Sequence, residues 1–182
     1  MIDEPAKIPR PDSERVLATN QSNNAIDIRE FIPGDEVAFR QLNEEWITRH
    51  FQLKAKDEEL FDDPQGVILA KGGRIFIVIR EGRPVGCCVL VAIRPGEYEV
   101  AKMGVTPSAQ GLGIGRKMLE RVIEEAKIAG ASRLYLETNP KLAPAIRLYE
   151  SVGFQHVPPE RIVPSPYARA EVPMELYFPF GS

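Results

Sequence analysis

Short runs of alternating or β-branched hydrophobic residues, separated by turn residues, characterise the first part of this chain. Glycine and proline mark turns at residues 81–84 and 94–96, so we expect the strands on either side of each turn to pair antiparallel. The runs that predict strands here are residues 25–31, 74–80, 85–93 and 97–105.

Helical periodicity follows the first strand. A helix is predicted over residues 35–47, with Ala38, Leu42 and Trp46 on one hydrophobic stripe. A second, acidic helix is predicted over 56–62 and is expected to end before Pro64, because proline interrupts helices.

Strands and helices alternate in the second half of the chain. The order predicts an α/β fold, with a mixed, mainly antiparallel sheet and helices on both faces, in one domain over residues 25–182. Residues 1–24 are polar, contain prolines and lack periodicity, so we expect a mobile tail there. The predicted elements are helices at 114–129 and 143–152, strands at 133–138, 154–157 and 170–178, and a proline-rich loop at 158–166.

The most informative stretch is residues 105–116, V-T-P-S-A-Q-G-L-G-I-G-R, where a glycine-rich turn joins a strand to a helix. Backbone N–H groups at a helix N-terminus bind phosphate, and glycine lets a ligand approach the backbone closely. The chain has no Gly-Lys-Ser or Gly-Lys-Thr, which excludes a P-loop. The glycines run G-x-G-x-G, which does not fit the G-x-G-x-x-G of a dinucleotide site. We therefore expect a different phosphorylated ligand.

A second motif follows the glycine-rich turn at a distance. Residues 110–115 read Q-G-L-G-I-G, and residues 145–154 read A-I-R-L-Y-E-S-V-G-F. The first resembles the Q/R-x-x-G-x-G/A signature, and the second the A-x-x-L-Y-E-x-x-G-F segment, of the GNAT superfamily of acyl-CoA-dependent N-acetyltransferases. With a strand candidate between the motifs, the resemblance covers roughly residues 25–178.

The resemblance implies a seven-stranded mixed sheet whose central strands splay apart. In that family the pantetheine arm of acetyl-CoA pairs along the fourth strand like an added strand. Many members carry an asparagine where this chain has Leu142, so we expect Asn139 to line the acceptor site or to bond the cofactor by another route. The residues expected to bind acetyl-CoA are Met103, Gly104, Val105, Gln110, Gly111, Leu112, Gly113, Ile114, Gly115, Arg116 and Asn139.

Acetylation of an amine by a thioester requires three things. The amine must lose a proton, the oxyanion needs a hydrogen-bond donor, and the departing thiolate needs a proton. The resemblance places Tyr149 as the acid beside the sulfur, and a phenol, with a pKa of about 10, stays protonated at neutral pH. The backbone N–H of Val105 is a candidate oxyanion donor.

Two carboxylates compete for the role of general base. Glu99 lies in a segment, E-V-A-K-M-G-V-T, that resembles the one carrying the glutamate base of yeast-type histone acetyltransferases. Glu137 precedes Tyr149 by twelve residues, an offset that resembles the glutamate of ribosomal-protein alanine acetyltransferases. A carboxylate flanked by apolar residues in a sheet has a raised pKa, which suits a base. We favour Glu99, acting through water, with Glu137 a close second.

The resemblance also suggests where the acceptor binds. Trp46 on the first helix, and Tyr167 and Arg169 after the proline-rich loop, lie where the family places substrate-binding elements. An arginine such as Arg169 is suited to grip a substrate carboxylate through two hydrogen bonds.

Composition narrows the function classes. The net charge is −3 without a block of Lys or Arg, which disfavours nucleic-acid binding, and no apolar run approaches the roughly 20 residues of a membrane span. Cys87 and Cys88 are adjacent in an apolar run, which favours core residues over a disulfide framework. His50 and His156 have no cysteine cluster with which to form a zinc site. The N-terminus lacks a signal-peptide pattern, so the cytoplasm is expected.

The sequence therefore predicts a cytoplasmic N-acetyltransferase. It would move an acetyl group from acetyl-CoA to a primary amine of a small molecule, by direct transfer in a ternary complex. No metal, nucleic acid or membrane is expected to take part, and a homodimer is left open. Two alternatives stay open: a peptide N-terminal or lysine acetyltransferase, and a non-catalytic acyl-CoA-binding regulatory module.

Removal of residues 1–24 should leave the fold and cofactor binding intact, because this segment offers little apolar surface to bury. Thermal melts and acetyl-CoA calorimetry on the truncated chain would check this. A large fall in melting temperature would show instead that the segment packs on the domain.

Overall fold

The computed structural model of the chain describes residues 25–165 and 170–179. Its described strands form one seven-stranded sheet in the order β1-β2-β3-β4-β5-β7-β6, in which β4 and β5 are parallel and the other neighbours antiparallel. The predicted fold class, a mixed and mainly antiparallel sheet, is confirmed. The strands are β1 (Ile26–Glu30), β2 (Arg74–Arg80), β3 (Arg83–Arg94), β4 (Glu97–Val105), β5 (Arg133–Thr138), β6 (Gln155–His156) and β7 (Val172–Tyr177).

Helices cover both faces of the sheet. Side chains on β2 alternate between two hydrophobic cores, with Phe76 and Val78 in one and Ile75 and Ile77 in the other. The first core lies under α4 and α5, and the second lies under the three N-terminal helices. The helices are α1 (Glu36–His50), α2 (Ala55–Asp62), α3 (Pro64–Val67), α4 (Ile114–Ile128) and α5 (Ala143–Ser151).

The predicted hairpin of β2 and β3 is confirmed. Its two-residue turn consists of Glu81 and Gly82, both with positive φ (53° and 73°). Positive φ at both central positions is typical of the turns whose twist matches that of paired strands. The strand that follows begins at Arg83, two residues earlier than predicted, because this turn needs only two residues.

The hydrophobic stripe predicted for α1 is only partly correct. Phe39, Leu42, Asn43 and Ile47 are its buried residues, whereas Trp46 is only partly buried. Spacings of three and four residues bring the first set onto one side, where they meet the second core. Trp46 lies at the edge of that side.

The predicted end of the second helix before Pro64 is confirmed, since α2 ends at Asp62, and Pro64 itself opens the short helix α3. The Asp63 side chain accepts a hydrogen bond from the Gly66 N–H at 2.8 Å, which caps the new helix. Proline is well tolerated at the first position of a helix, where its missing N–H would have no partner.

Both cysteines are buried and free, as the sequence indicated. Among the residues that the structure describes, no group of three or more His, Cys, Asp or Glu side chains is placed to hold a metal ion. None of the helices within 25–165 and 170–179 has the length and apolar character needed to cross a membrane.

Candidate active site

The central feature of the site is a gap between β4 and β5. These strands pair only over the first three residues of each, ending with Glu99 opposite Tyr135. Beyond this point β4 continues to Val105 beside β3, and no described strand pairs with its other edge. Such an edge accepts an extended ligand as an added strand. Met103 and Gly104, predicted to contact the pantetheine arm, lie on the part of β4 whose edge toward β5 has no paired strand among those described.

Arg133 holds the closed end of the gap together. Its guanidinium pairs with Glu97 on β4 and with Glu175 on β7, both at 3.0 Å, and lies 5.1 Å from the centre of the Tyr135 ring. Arg161 also pairs with Glu175 and so ties the loop before β7 to the sheet. The two strands are thus fixed at one end and free to diverge at the other.

The glycine-rich turn connects the open end of β4 to α4. Gly111 and Gly113 adopt left-handed conformations (φ 78° and 73°), and no heavy atom lies within 4 Å of the position where a Cβ would stand. Gly113 immediately precedes α4, so the turn presents the N-terminus of a 15-residue helix to open space. Gly115 lies one residue inside the helix, near Leu148 and Met103. This geometry fits a phosphate or pyrophosphate site.

Other residues predicted to bind the cofactor at this turn have structural partners. The Gln110 amide donates to the Val105 carbonyl at 3.0 Å and closes the turn. The Arg116 guanidinium donates to the Ser151 hydroxyl on α5 at 2.7 Å. The side chain of Ile114 is buried in the core, so only its backbone is available to a ligand.

The two candidate bases lie on the same face of the sheet. Val100 and Leu136 point into the core under α4 and α5, so their neighbours Glu99 and Glu137 face the opposite side, where α1–α3 pack. The two carboxylates interact electrostatically. The sequence therefore named two residues that the fold brings together.

Glu99 and Glu137 differ in their surroundings. The Glu137 carboxylate accepts hydrogen bonds from the Tyr135 hydroxyl at 2.9 Å and from the Ser165 hydroxyl at 2.6 Å. Burial, and then the charge of Glu137, raise the pKa of Glu99 to about 7, while Lys102 acts in the opposite direction. A carboxylate that titrates near neutral pH is suited to act as a general base.

Tyr149 lies on the other side of the sheet, in the core under α4 and α5. Its ring packs edge-on against Phe154, with 6.0 Å between the ring centres. Burial, with a further contribution from Cys88, raises the pKa of its hydroxyl, so the phenol keeps its proton. No described residue hydrogen-bonds to this hydroxyl. Tyr149 and Glu99 therefore offer a proton donor and a proton acceptor on opposite faces of the sheet.

Trp46 covers part of β4 from the α1–α3 side. A Cβ at Gly104 would stand 2.5 Å from an indole carbon, so only glycine permits this close approach. The indole N–H donates to the Asn43 side chain at 3.3 Å. The residue predicted to contact the acceptor thus lies directly over one predicted to contact the donor.

Asn139 is engaged in the turn after β5. Its side-chain oxygen accepts from the Lys141 N–H at 3.0 Å, and its amide nitrogen donates to Glu171 at 2.8 Å. Its role toward the cofactor or acceptor stays a prediction. Tyr167 and Arg169 lie outside the described residues, so their contacts with the acceptor stay predictions as well.

Sequence reasoning missed four residues of this site. Tyr135 precedes Glu137 by two residues, and strand alternation places both on one face, so that signal was present. Ser165 contacts Glu137 across 28 residues of sequence, and Lys102 pairs with Asp57 across 45 residues. No local sequence pattern predicts either contact.

Comparison with known proteins identifies the family. The family described as acetyltransferase (GNAT) matches residues 37–154. The mycothiol acetyltransferase of Thermomonospora curvata is 32% identical over 155 residues, which cover 80% of this chain and 49% of that protein. The IAA acetyltransferase of Azospirillum brasilense is 44% identical over 82 residues, which cover 44% of this chain and 54% of that protein. The chain thus spans about half the length of these two relatives.

Solved structures share the fold. An acetyltransferase of the GNAT family from Staphylococcus aureus Mu50 superposes with a TM-score of 0.76 at 20% identity, over 84% of this chain and 99% of that one. A protein from Salmonella typhimurium, solved with its cofactor acetyl-CoA, gives a TM-score of 0.66 at 23% identity, over 85% of this chain and 94% of that one.

The glycine-rich turn generates a prediction. Gly113→Asp places a side chain and a negative charge in the space before α4, so acetyl-CoA affinity should fall at least about tenfold. Gly72→Asp is the matched control, because Gly72 has a similar conformation (φ 85°) and equally open surroundings but lies elsewhere, before β2. Calorimetry on both variants checks this. Equal affinities in two folded variants would contradict the assignment of the turn.

Proposed function

The chain belongs to the acetyltransferase (GNAT) family, and from that premise we propose that it moves an acetyl group from acetyl-CoA to a primary amine of a small molecule. The transfer is direct, within a ternary complex. The observation that carries the proposal is the pair of titratable groups, Glu99 and Tyr149, on opposite faces of a sheet whose central strands separate between them.

The donor fits the open edge of β4. Residues from Met103 to Val105 offer main-chain groups on that edge to the pantetheine arm, and the turn with Gly111 and Gly113 offers a helix N-terminus to the pyrophosphate. The Salmonella structure with acetyl-CoA supports this donor, since its fold is shared.

Glu99 is the general base in this proposal. Its carboxylate takes the proton of the acceptor amine, either directly or through water, and its raised pKa makes it a stronger base than an exposed glutamate. Glu137 keeps its place through the Tyr135 and Ser165 hydroxyls and raises the pKa of Glu99 by its charge. The two carboxylates therefore have different roles: Glu99 accepts the proton, and Glu137 raises the pKa of Glu99.

Tyr149 is the general acid. It holds its proton at neutral pH, and no described group competes for its hydroxyl, so it can donate to the departing thiolate. Trp46, over Gly104, stands on the acceptor side of the gap. The two relatives are named for small molecules, IAA and mycothiol, which supports a small acceptor here.

Release of free thiol from acetyl-CoA in the presence of a panel of small amines tests the proposal. The panel should include lysine-bearing and N-terminally free peptides as competitors, with the Gly113→Asp variant as a donor-binding control. Turnover with a small amine supports the proposal. Turnover with peptides alone would move the assignment to a protein-modifying enzyme. Tight acetyl-CoA binding without any turnover would favour a regulatory module.

The assignment of the base predicts a pH profile. kcat/KM should fall as the pH drops through about 7, because Glu99 becomes protonated there and loses its function as a base. Glu99→Gln should lower kcat/KM at pH 8 on the order of 10²-fold. Glu137→Gln is the matched comparison: it keeps the base and removes a repelling charge, so the midpoint should move to lower pH. If the fall of kcat/KM at low pH disappeared in Glu137→Gln and persisted in Glu99→Gln, Glu137 would be the base instead of Glu99.

Tyr149→Phe tests the acid. The substitution removes one hydroxyl and keeps the ring against Phe154, so kcat should fall on the order of 10²-fold or more while acetyl-CoA affinity changes little. Steady-state kinetics, calorimetry and a thermal melt on the pure variant check this. A wild-type kcat in the well-folded variant would assign Tyr149 to the core alone.

A further inference from the structure

Lys102 forms an ion pair with Asp57 in the interior of the domain. The ammonium and carboxylate are 2.6 Å apart, and the two side chains are 9% and 0% exposed. Removing two charges from water costs free energy that their attraction often fails to recover, so such a pair is weak evidence of a stabilising role. Its position in the fold therefore calls for a different explanation.

A bulge in β4 directs Lys102 toward this partner. Val89 pairs with Ala101 and Cys87 pairs with Gly104, so β4 has one more residue than β3 over this stretch. Strict alternation would place Lys102 on the same face as Val100, in the core under α4. Lys102 instead adopts a left-handed conformation (φ 50°), unusual for a residue other than glycine, and its ammonium reaches α2 on the opposite face.

Several hydrogen bonds brace the bulge from α1. The Cys87 thiol donates to the Lys102 carbonyl at 3.5 Å, and the Asn43 amide donates to the Cys87 sulfur at 3.3 Å. Burial raises the pKa of the Cys87 thiol to about 12, so the thiol keeps the proton that it donates. Asn43 in turn accepts from the Trp46 indole. The bulge is thus joined to the helix that covers the gap.

Asp57 is itself fixed in place. It lies in the first turn of α2, where its carboxylate accepts the Lys54 N–H at 2.9 Å as part of a capping box. Its other carboxylate oxygen receives the Lys102 ammonium. The negative partner is therefore held by helix geometry, and it holds the lysine in turn.

Glu99 lies three residues before Lys102 and on the same face of the sheet. Among the residues that the structure describes, the groups that interact electrostatically with Glu99 are Lys102 on its own strand and Tyr135 and Glu137 on β5. Asp57 on α2 joins this set because it is paired with Lys102. Of these, only Lys102 carries a positive charge. Glu97 and Arg133, farther toward the closed end, are paired with each other at 3.0 Å.

We infer that Lys102 is a positioning residue for the transfer reaction, whose ammonium group Asp57 holds on the face of the sheet that carries Glu99. The catalytic part of this inference rests on the proposed function. The fixed ammonium opposes the charge of Glu137, and so favours the ionised form of Glu99 that accepts a proton. The left-handed backbone at Lys102 turns this side chain to the face of the sheet that carries Glu99.

Direct titration of Glu99 tests this without relying on activity. The ¹³C resonance of its side-chain carboxyl, identified by its loss in Glu99→Gln, is followed against pH in the full chain. Lys102→Met keeps the length of the side chain and removes the charge, so the midpoint should rise by about 0.5 pH unit or more. Lys102→Arg keeps the charge and should hold the midpoint within about 0.2 pH unit of wild type.

A second variant guards against loss of the fold. Lys102→Met combined with Asp57→Asn removes both charges and leaves no unpaired buried ion, and it should show the same upward direction. If acetyltransferase activity is found, the acidic limb of kcat/KM should move with the titration. An unchanged midpoint in folded Lys102→Met, or an equal rise in Lys102→Arg, would overturn the inference. A preparation without any turnover would count against the proposed function, while the titration would still decide the role of Lys102.

Discussion

The separation of β4 from β5 is the constraint on which the rest of this structure depends. Main-chain N–H and C=O groups inside a protein need hydrogen-bond partners, so an interrupted pairing in the middle of a sheet is costly unless something else occupies the edge. Here the pairing ends after Glu99 and Tyr135, and ion pairs of Arg133 secure the end that remains closed. The turn with Gly113 then opens a helix N-terminus at the other end. A long, partly extended ligand with a phosphorylated end matches both features.

Burial on the two faces of the sheet produces two opposite kinds of proton chemistry. Removing an acidic group from water disfavours its charged form and raises its pKa. For Glu99 the rise brings the group close to neutral pH, where it can accept and release a proton. For Tyr149 the same cause moves the phenol further from ionisation, so it remains a donor. One physical effect thus leaves a proton acceptor on one face of the sheet and a proton donor on the other.

Regular elements and the glycine-rich turn could be predicted from the sequence, because both depend on local spacing. The bounds of β2, β4 and β5 agree with their hydrophobic runs to the residue. The bulge could not be predicted, because a lysine such as Lys102 carries no preference for a left-handed conformation. Its pairing with Asp57 depends on contacts across the fold, and the opening of α3 at Pro64 depends on a cap that only the folded chain reveals.

The neighbours of Glu99 act in opposite directions, and their balance decides what the carboxyl can do. Burial and the charge of Glu137 together favour the protonated form, which cannot serve as a base. Lys102 favours the ionised form, and alone it would make the carboxylate a weak base. General base catalysis is most effective when the pKa lies near the working pH, because the base is then both ionised and strong enough. A repelling carboxylate fixed by two hydroxyls and an attracting ammonium fixed by Asp57 keep Glu99 near that point.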